Sequence, residues 1–371
     1  MEEKQLYERY QRQIILKNFG KTGQQKLLNA KVLVIGAGGL GCPILQYLAA
    51  AGVGKIGIVD DDVVSLNNLH RQILFSTAHI GFPKAIMAAD VISKLNPDIY
   101  IAAYREKLTV ENALELLDLY DIIIDGADNF ATRYLINDAC VLLKKPLIYG
   151  AISQFEGQVA VFNYKVNDGS TSANYRDLFP QPPKNNEILN CAEAGVIGVL
   201  AGIIGNLMAN ETIKLITGIG KPLTNQLLTF NTLNNQLFTW ELTPKKETID
   251  LIPKNKNEFL QMDYDWLCSN QLNIEITPTE FNSFLNKPDI LIIDVRELDE
   301  MPIINQFQYV KIPLGKLNDE LNKINAETII TFCQSGKRSL KAAELLIDTF
   351  GDTKKIYSLR NGILNWQENE R

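Results

Sequence analysis

The sequence predicts a two-part α/β chain, and three observations carry that prediction. Short β-branched runs alternate with helical patterns over the first half, a Gly-rich turn follows the first run, and a second α/β alternation begins after a polar, Lys-rich stretch. Such alternation covers a mostly parallel sheet with helices. At 371 residues the chain is long for one domain, and a hydrophobic content of 46% supports more than one core. A formal charge of −6 argues against nucleic-acid binding, which needs a concentrated basic face.

After a polar amphipathic start, "KVLVIG" (Lys31 to Gly36) predicts a strand, the turn behind it opens a helix, and "KIGIVD" (Lys55 to Asp60) predicts the next strand. "YIAAY" (Tyr100 to Tyr104), "DIIIDG" (Asp121 to Gly126) and "PLIYGA" (Pro146 to Ala151) repeat the pattern. "GQVAVFNY" (Gly157 to Tyr164) follows without a helix, which predicts an antiparallel continuation. Residues 168–190 are rich in Asn, Ser, Pro and Asp and predict a long loop over the substrate. The apolar segment Val196 to Ile216 predicts a buried helix. Its most apolar part, Ala194 to Gly205, is shorter than the about 20 residues that span a bilayer, so no membrane is expected. "QLLTF" and "QLFTWEL" add strands and end a first domain at residues 1–242. Residues 243–273 are expected as a linker, and residues 274–371 as a second domain with strands "ILIIDVRE", "TIITFC" and "KIYSLRNG".

The N-terminus "MEEKQLYERYQRQ" lacks the apolar run of a secretory signal, so a cytoplasmic location is expected. The five cysteines, at 42, 140, 191, 268 and 333, form no CxxC pair, and His70 and His79 are the only histidines. A disulfide framework, a histidine metal centre and a Ser/His/Asp triad are therefore not expected.

Gly36-Ala37-Gly38-Gly39-Leu40-Gly41 fits the G-x-G-x-x-G turn, whose backbone amides approach phosphates at a helix N-terminus, and Asp60 ends the next strand where a ribose ligand is expected. Alone this turn also suits a nicotinamide oxidoreductase. Arg12, Asn68, Arg71, Lys84 and Asp128 fall near the same sheet edge, and hydride transfer does not need so many cations. A triphosphate attacked at its α-phosphorus does.

With "RYQRQI", "DDDVVSLNNLHRQ", "GFPKA" and "DGADNFATR" in this order, residues 1–242 resemble the MoeB/ThiF family of ubiquitin-activating-type adenylyltransferases. The resemblance implies a Rossmann-like adenylating domain with an antiparallel extension to its sheet. It implies that Asp60 and Asn68 hold the ribose, Gly39 backs the phosphates, and Arg71 and Lys84 clamp the triphosphate of ATP. It further implies that Asp128 places Mg²⁺ and that Arg12 reaches into the partner subunit of a homodimer. Gly198-xxx-Gly202 suits either a close helix contact between subunits or packing within one. Many relatives carry two CxxC pairs that bind zinc. Here the first segment reads Asn174-Tyr175-Arg176-Asp177-Leu178-Phe179-Pro180 and the second pair is also absent, so no zinc is expected, which leaves open what tethers the loop and the C-terminal end of the first domain. "NCAEAGVIG" keeps Cys191 just before the apolar helix, where a helix N-terminus favours a reactive thiolate. Cys42 and Cys140 fall on apolar helical faces, as core residues do.

"TFCQSGKRSL" (Thr331 to Leu340) ends a strand at Cys333 and turns into a helix, so its backbone amides can form a nest, with Arg338 and the helix dipole adding positive character. Such a cradle stabilises a thiolate or a persulfide. Together with "IIDVRE" and "LRNGILNW", it makes residues 274–371 resemble a rhodanese domain. The C-x4-R spacing differs from the C-x5-R of cysteine phosphatases. "NQFQYVKIPL" replaces the usual "GHIPGA", and Asn361 stands where a second glycine is common.

The two resemblances together imply an enzyme that adenylates the C-terminal Gly-Gly of a ubiquitin-like sulfur carrier of MoaD/ThiS type and converts it to a thiocarboxylate. A persulfide on Cys333, charged by a persulfide or thiosulfate donor, would supply the sulfur, and molybdenum cofactor biosynthesis is the favoured pathway. Carriers for thiamine synthesis or tRNA thiolation, a stand-alone thiosulfate sulfurtransferase with a degenerate nucleotide domain, and a carrier-binding scaffold are the alternatives.

Overall fold

A computed structural model describes residues 3–166, 169–182, 195–269, 274–285, 287 and 289–369. The chain divides into two compact units, Met1–Cys268 and Ser269–Arg371.

The first unit is built on an eight-stranded sheet. Its strands are β1 (Lys31–Ile35), β2 (Lys55–Val59), β3 (Tyr100–Tyr104), β4 (Ile122–Asp125), β5 (Leu147–Ser153), β6 (Glu156–Phe162), β7 (Gln226–Asn231) and β8 (Gln236–Glu241), in spatial order 3-2-1-4-5-6-7-8. The first five are parallel. The chain then reverses at Gln154 and Phe155, and β6, β7 and β8 continue antiparallel. The antiparallel extension read from "GQVAVFNY" is therefore present. In β1 and β4 almost every residue is buried instead of every second one, because helices cover both faces. On one face Leu27, Ile44, Leu48, Ile92, Ile204 and Met208 form the core, and on the other Leu117, Tyr134, Ile136, Phe162 and Phe259.

The apolar helix runs Gly198–Thr217, long and apolar enough by composition to cross a membrane, yet it lies on β5 and β6 and buries Leu200, Ile204 and Met208. Its glycines separate by role. A Cβ at Gly198 would stand 2.3 Å from the His70 carbonyl oxygen, so Gly198 serves packing within the unit, whereas space beside Gly202 is open.

Two expectations need correction. The stretch expected as a linker is folded as far as Ser269, into helices Lys246–Ile249, Lys256–Leu260 and Tyr264–Ser269, with Phe259 and Tyr264 in the core. Its Lys-rich composition hides these two anchors. The expected long loop is also partly packed: Ser172 to Asp177 are buried, a short helix runs Tyr175–Leu178, and the remainder from residue 183 lies outside the described residues.

A polar joint ties these two stretches together. Arg176 donates to both oxygens of Asp138 (Nε 2.8 Å, Nη2 2.6 Å), and the Tyr264 hydroxyl donates to Asp138 Oδ2 at 2.9 Å. Asp177 accepts from the Lys245 amide at 2.9 Å, from the Thr248 hydroxyl, and from the Asn174 amide at 2.8 Å. Asp138 and Arg176 are almost wholly buried, and the Arg176 guanidinium stacks 4.8 Å from the Tyr134 ring centre. This joint stands where the sequence lacks cysteine pairs.

The second unit has a five-stranded, all-parallel sheet of β9 (Glu275–Ile276), β10 (Ile290–Asp294), β11 (Val310–Lys311), β12 (Thr328–Phe332) and β13 (Lys355–Leu359), in order 11-10-12-13-9. Ile293, Ile329, Ala343 and Leu346 fill one face, and Phe281, Phe332, Ile363 and Trp366 the other.

Candidate active site

Ligands of open parallel sheets bind beyond the carboxyl ends of the strands, and the first unit opens a cleft there of about 320 Å³. The turn after β1 makes its floor. Gly36 takes φ 92°, and a Cβ on it would stand 2.7 Å from the Gly126 carbonyl oxygen. One on Gly41 would stand 2.0 Å from that of Gly36. These contacts bring the loop down onto β4, so that Gly38 and Gly39 line the cleft ahead of the helix Gly41–Ala51. Gly41 lies beneath the loop, in packing and not in the lining.

Asp60, Arg71, Lys84 and Asp128 all line this cleft, as the sequence expects. Asp60 also supports the loop, its Oδ2 accepting from the Ala37 amide at 2.7 Å and its Oδ1 from the Asp62 amide at 2.9 Å. Burial raises its pKa against those hydrogen bonds and the nearby Lys84 charge. The Lys84 stem is buried, and its ammonium reaches Asp62 Oδ2 at 2.8 Å. Arg71 donates to the Asn67 carbonyl oxygen at 3.2 Å.

Asn68 and Arg12 stand elsewhere. Asn68 is half-buried in the turn Leu66–Asn68, and its carbonyl oxygen accepts from the Arg71 and Gln72 amides. Arg12 is exposed on the helix Glu3–Ile14, away from its own chain's cleft.

Sequence reasoning missed Gln72, Asp125 and Arg133. Gln72 is 3% exposed and lines the cleft, and its Oε1 has no hydrogen-bond partner among the described residues. A buried acceptor aimed at a cleft fits a donor on a bound molecule, such as a nucleotide hydroxyl or amine. Arg133 is buried, with Nη2 donating to the Ala127 carbonyl oxygen at 3.0 Å. Asp125 is wholly buried, and desolvation pushes its pKa up to about 6 against the pull of Arg133.

Asp128 and Arg133 also line a neighbouring cleft of about 350 Å³, whose walls include Tyr149, Phe155, Gln158 and Phe179. The two clefts share Asp128, Arg133 and Ile152, so one carboxylate and one guanidinium stand where they meet.

In the second unit, β12 delivers Cys333 to a loop that turns into the helix Lys337–Phe350. Among the described residues, none of the backbone amides from Gln334 to Ser339 finds an acceptor, which leaves them available to an anion at this loop. Gly336 takes φ 88°, and a Cβ on Gly362 would stand 2.4 Å from the Gln334 carbonyl oxygen. Asn361 adopts φ 58°, a left-handed conformation that Asn tolerates, so it serves where a glycine is common. Thr331 donates to the Ser339 carbonyl oxygen at 2.7 Å, Ser358 to the Ser339 hydroxyl at 2.9 Å, and the Ile363 amide to the Cys333 carbonyl oxygen at 2.8 Å. Cys333 itself is 1% exposed.

One expectation changes here. Arg338 does not lend the loop a free charge, because both of its terminal nitrogens bond Glu300, Nη2 to Oε2 at 2.6 Å. The "DVRE" arginine, Arg296, is spent on Asp294 in a fully buried two-point contact. Of the other cysteines, Cys42 and Cys140 are buried, and burial pushes the Cys42 thiol up to about 12. Cys191 lies outside the described residues. Among the described residues no group of three His, Cys, Asp or Glu side chains is poised for a metal.

A nucleotide-type cleft lined by Arg71 and Lys84 in one unit and a cysteine loop in the other define an enzyme of the adenylyltransferase and sulfurtransferase class. The chain belongs to the ThiF family, whose model matches residues 10–251, and a rhodanese-like domain matches residues 277–369. It is 40% identical over 370 residues to "Probable adenylyltransferase/sulfurtransferase MoeZ" of Mycobacterium tuberculosis, covering 96% of this chain and 92% of that one. It is 36% identical over 394 residues to "Adenylyltransferase and sulfurtransferase MOCS3" of Xenopus laevis, covering 97% and 86%. The "Sulfur carrier protein adenylyltransferase" of Thermus thermophilus matches at 53% over 230 residues, covering 62% of this chain and 85% of that one. Among solved structures, E. coli MccB with AMPCPP and MccA is 22% identical with a TM-score of 0.55, covering 64% of this chain and 72% of that chain, a likeness of fold. The sequence expectation of a two-part adenylating and rhodanese-like enzyme therefore holds.

Proposed function

We propose that this enzyme adenylates the C-terminal Gly-Gly of a ubiquitin-like sulfur carrier and replaces the AMP by sulfur delivered through Cys333, in the cytoplasm and for molybdenum cofactor biosynthesis. The observation that carries the reading is the pair of clefts meeting at Asp128 and Arg133. The first has cations and the amide-lined Gly turn that a triphosphate needs. The second is a groove of the size and mixed lining that suits an extended peptide tail.

The carrier's terminal carboxylate is ionised at neutral pH, so its attack on the α-phosphorus needs no general base. Placement and charge neutralisation suffice, which agrees with a chain of two histidines. Pyrophosphate leaves from Arg71 and Lys84, Asp60 holds the ribose, Gly39 backs the phosphates, and Gln72 pairs with a nucleotide donor; Asn68, outside the cleft lining, would have to turn in from Leu66–Asn68 to join Asp60. Of the carboxylates that line the cleft, Asp60, Asp61, Asp62, Glu106 and Asp128, it is Asp128 that would hold Mg²⁺, which prefers one or two carboxylates plus phosphate oxygens and would neutralise developing charge there. In a homodimer, Arg12 would supply a further cation to the partner subunit's cleft.

The terminal sulfur of a Cys333 persulfide then attacks the acyl carbon and AMP leaves with the electron pair, giving an acyl disulfide. A second thiolate, for which Cys191 is the candidate, attacks the Cys333 sulfur and releases the thiocarboxylate, leaving a disulfide for a cellular thiol to reduce. The test is the intact mass of a Gly-Gly-ended carrier from the same organism after incubation with the protein, Mg-ATP and a sulfur donor. Exchange of one oxygen for sulfur is expected. Sulfur loading of Cys333 with no ATP-dependent change in the carrier would favour the stand-alone sulfurtransferase.

A further inference from the structure

We propose that Glu300 selects the sulfur donor of the Cys333 loop, admitting an alkyl persulfide and disfavouring the thiosulfate dianion; this rests on the reading that Cys333 carries the transferred sulfur. The amides from Gln334 to Ser339 can hold one negative sulfur, whichever donor brings it. What separates donors is the charge at the rim. Arg338, which ends the loop, is bound at two points by the Glu300 carboxylate, and Arg296 is bound at two points by Asp294. Lys337 is exposed, where water and salt screen its charge. A dianion therefore meets a carboxylate beside the guanidinium that would otherwise bind it.

Glu300 is also fixed in place. Its Oε1 accepts from the Glu297 amide at 2.9 Å, its own amide donates to the Glu297 carbonyl oxygen at 3.1 Å, and Arg296 Nη1 holds the Pro302 carbonyl oxygen at 3.0 Å. The same short strap exposes Leu298, Met301 and Ile303 by 67, 65 and 63%. Glu297 and Asp299 are exposed on the same strap, so a rim of apolar side chains and carboxylates, with its arginine neutralised, rejects a small, strongly hydrated dianion and accepts a persulfide on a carbon chain.

The step is the same for either donor. The Cys333 thiolate attacks the outer sulfur, a new S–S bond forms, and the old S–S bond breaks with its electron pair on the leaving group. That group is a thiolate from an alkyl persulfide and sulfite from thiosulfate.

The experiment loads the full-length protein in a single turnover and follows the mass of one added sulfur atom on Cys333, with Cys333→Ala as blank. Donors are thiosulfate, glutathione persulfide and a persulfidated cysteine peptide with apolar flanks. Wild type should load from both persulfides at least about tenfold faster than from thiosulfate. A faster peptide identifies a protein-borne source, and equal rates a small thiol. Glu300→Gln should raise the thiosulfate rate about tenfold or more while changing the persulfide rates less than about threefold, and adding Arg338→Gln should remove that gain, because tenfold corresponds to about 1.4 kcal/mol, the scale of one charge contact. Equal wild-type rates, or an unchanged donor ratio in Glu300→Gln, overturns the proposal. If no donor adds sulfur to wild-type Cys333, the reading of Cys333 as the sulfur carrier falls with it.

Discussion

Asp125 closes β4 with its carboxylate wholly inside the protein, and desolvation holds its pKa at about 6, above the ordinary 3.8. An acid whose pKa is raised by folding adds stability fully below about 3.8, and that stability is lost as pH rises through about 6. Asp125→Asn should therefore gain on wild type by about 1–3 kcal/mol between pH 4 and pH 7 in urea unfolding, with no further gain above pH 7. A difference that stays flat with pH would contradict the burial argument. Lys84 makes the complementary case, a buried stem aiming its charge into the cleft. Lys84→Ala should slow carrier-dependent ATP–pyrophosphate exchange by about 10²–10³-fold, the usual worth of a preorganised charge, and leave sulfur loading of Cys333 unchanged. At this scale the sequence is legible where a motif fixes both residue and spacing, as for Asp60, Arg71 and Lys84. Gln72 and Arg133 sit in the same quoted segments. Nothing in those letters says that the two side chains are buried toward the cleft, because that depends on how the loops fold over one another.

Among the elements, the strands were the most readable, since a parallel sheet covered on both faces demands continuous apolar runs. Residues 243–269 were the least. The rule that polar, Lys-rich stretches link domains fails there because two aromatic anchors, Phe259 and Tyr264, outweigh many solvated lysines. The buried Asp138–Arg176 pair makes this testable. Arg176→Leu leaves Asp138 buried with only neutral donors, the Asn137 amide and the Tyr264 hydroxyl, and should cost about 3–5 kcal/mol, whereas Tyr264→Phe removes one hydrogen bond and should cost about 1 kcal/mol. Both losses are read from denaturant unfolding of the purified chain. Equal losses would show that the ion pair and the phenol do not differ in the way their burial implies.

Across the whole molecule, two sheets with their chemistry at the strand ends divide the work. Cys333→Ala should leave pyrophosphate exchange intact and stop thiocarboxylate formation, measured on the same preparation. Loss of both activities would mean that the units do not act as separable stations. The fold class was legible at this scale because alternation and two Gly-rich loops recur along the chain, while the pairing of Glu300 with Arg338 joins residues 38 positions apart and no local pattern announces it. The joint of Asp138, Arg176, Asp177, Thr248 and Tyr264 has a consequence for how this corner closes. A fastening made of carboxylates, a guanidinium and hydroxyls closes with groups the chain already carries, so this corner of the first unit draws on no side chain beyond Tyr264 and its closure should follow the ionisation of Asp138 and Asp177.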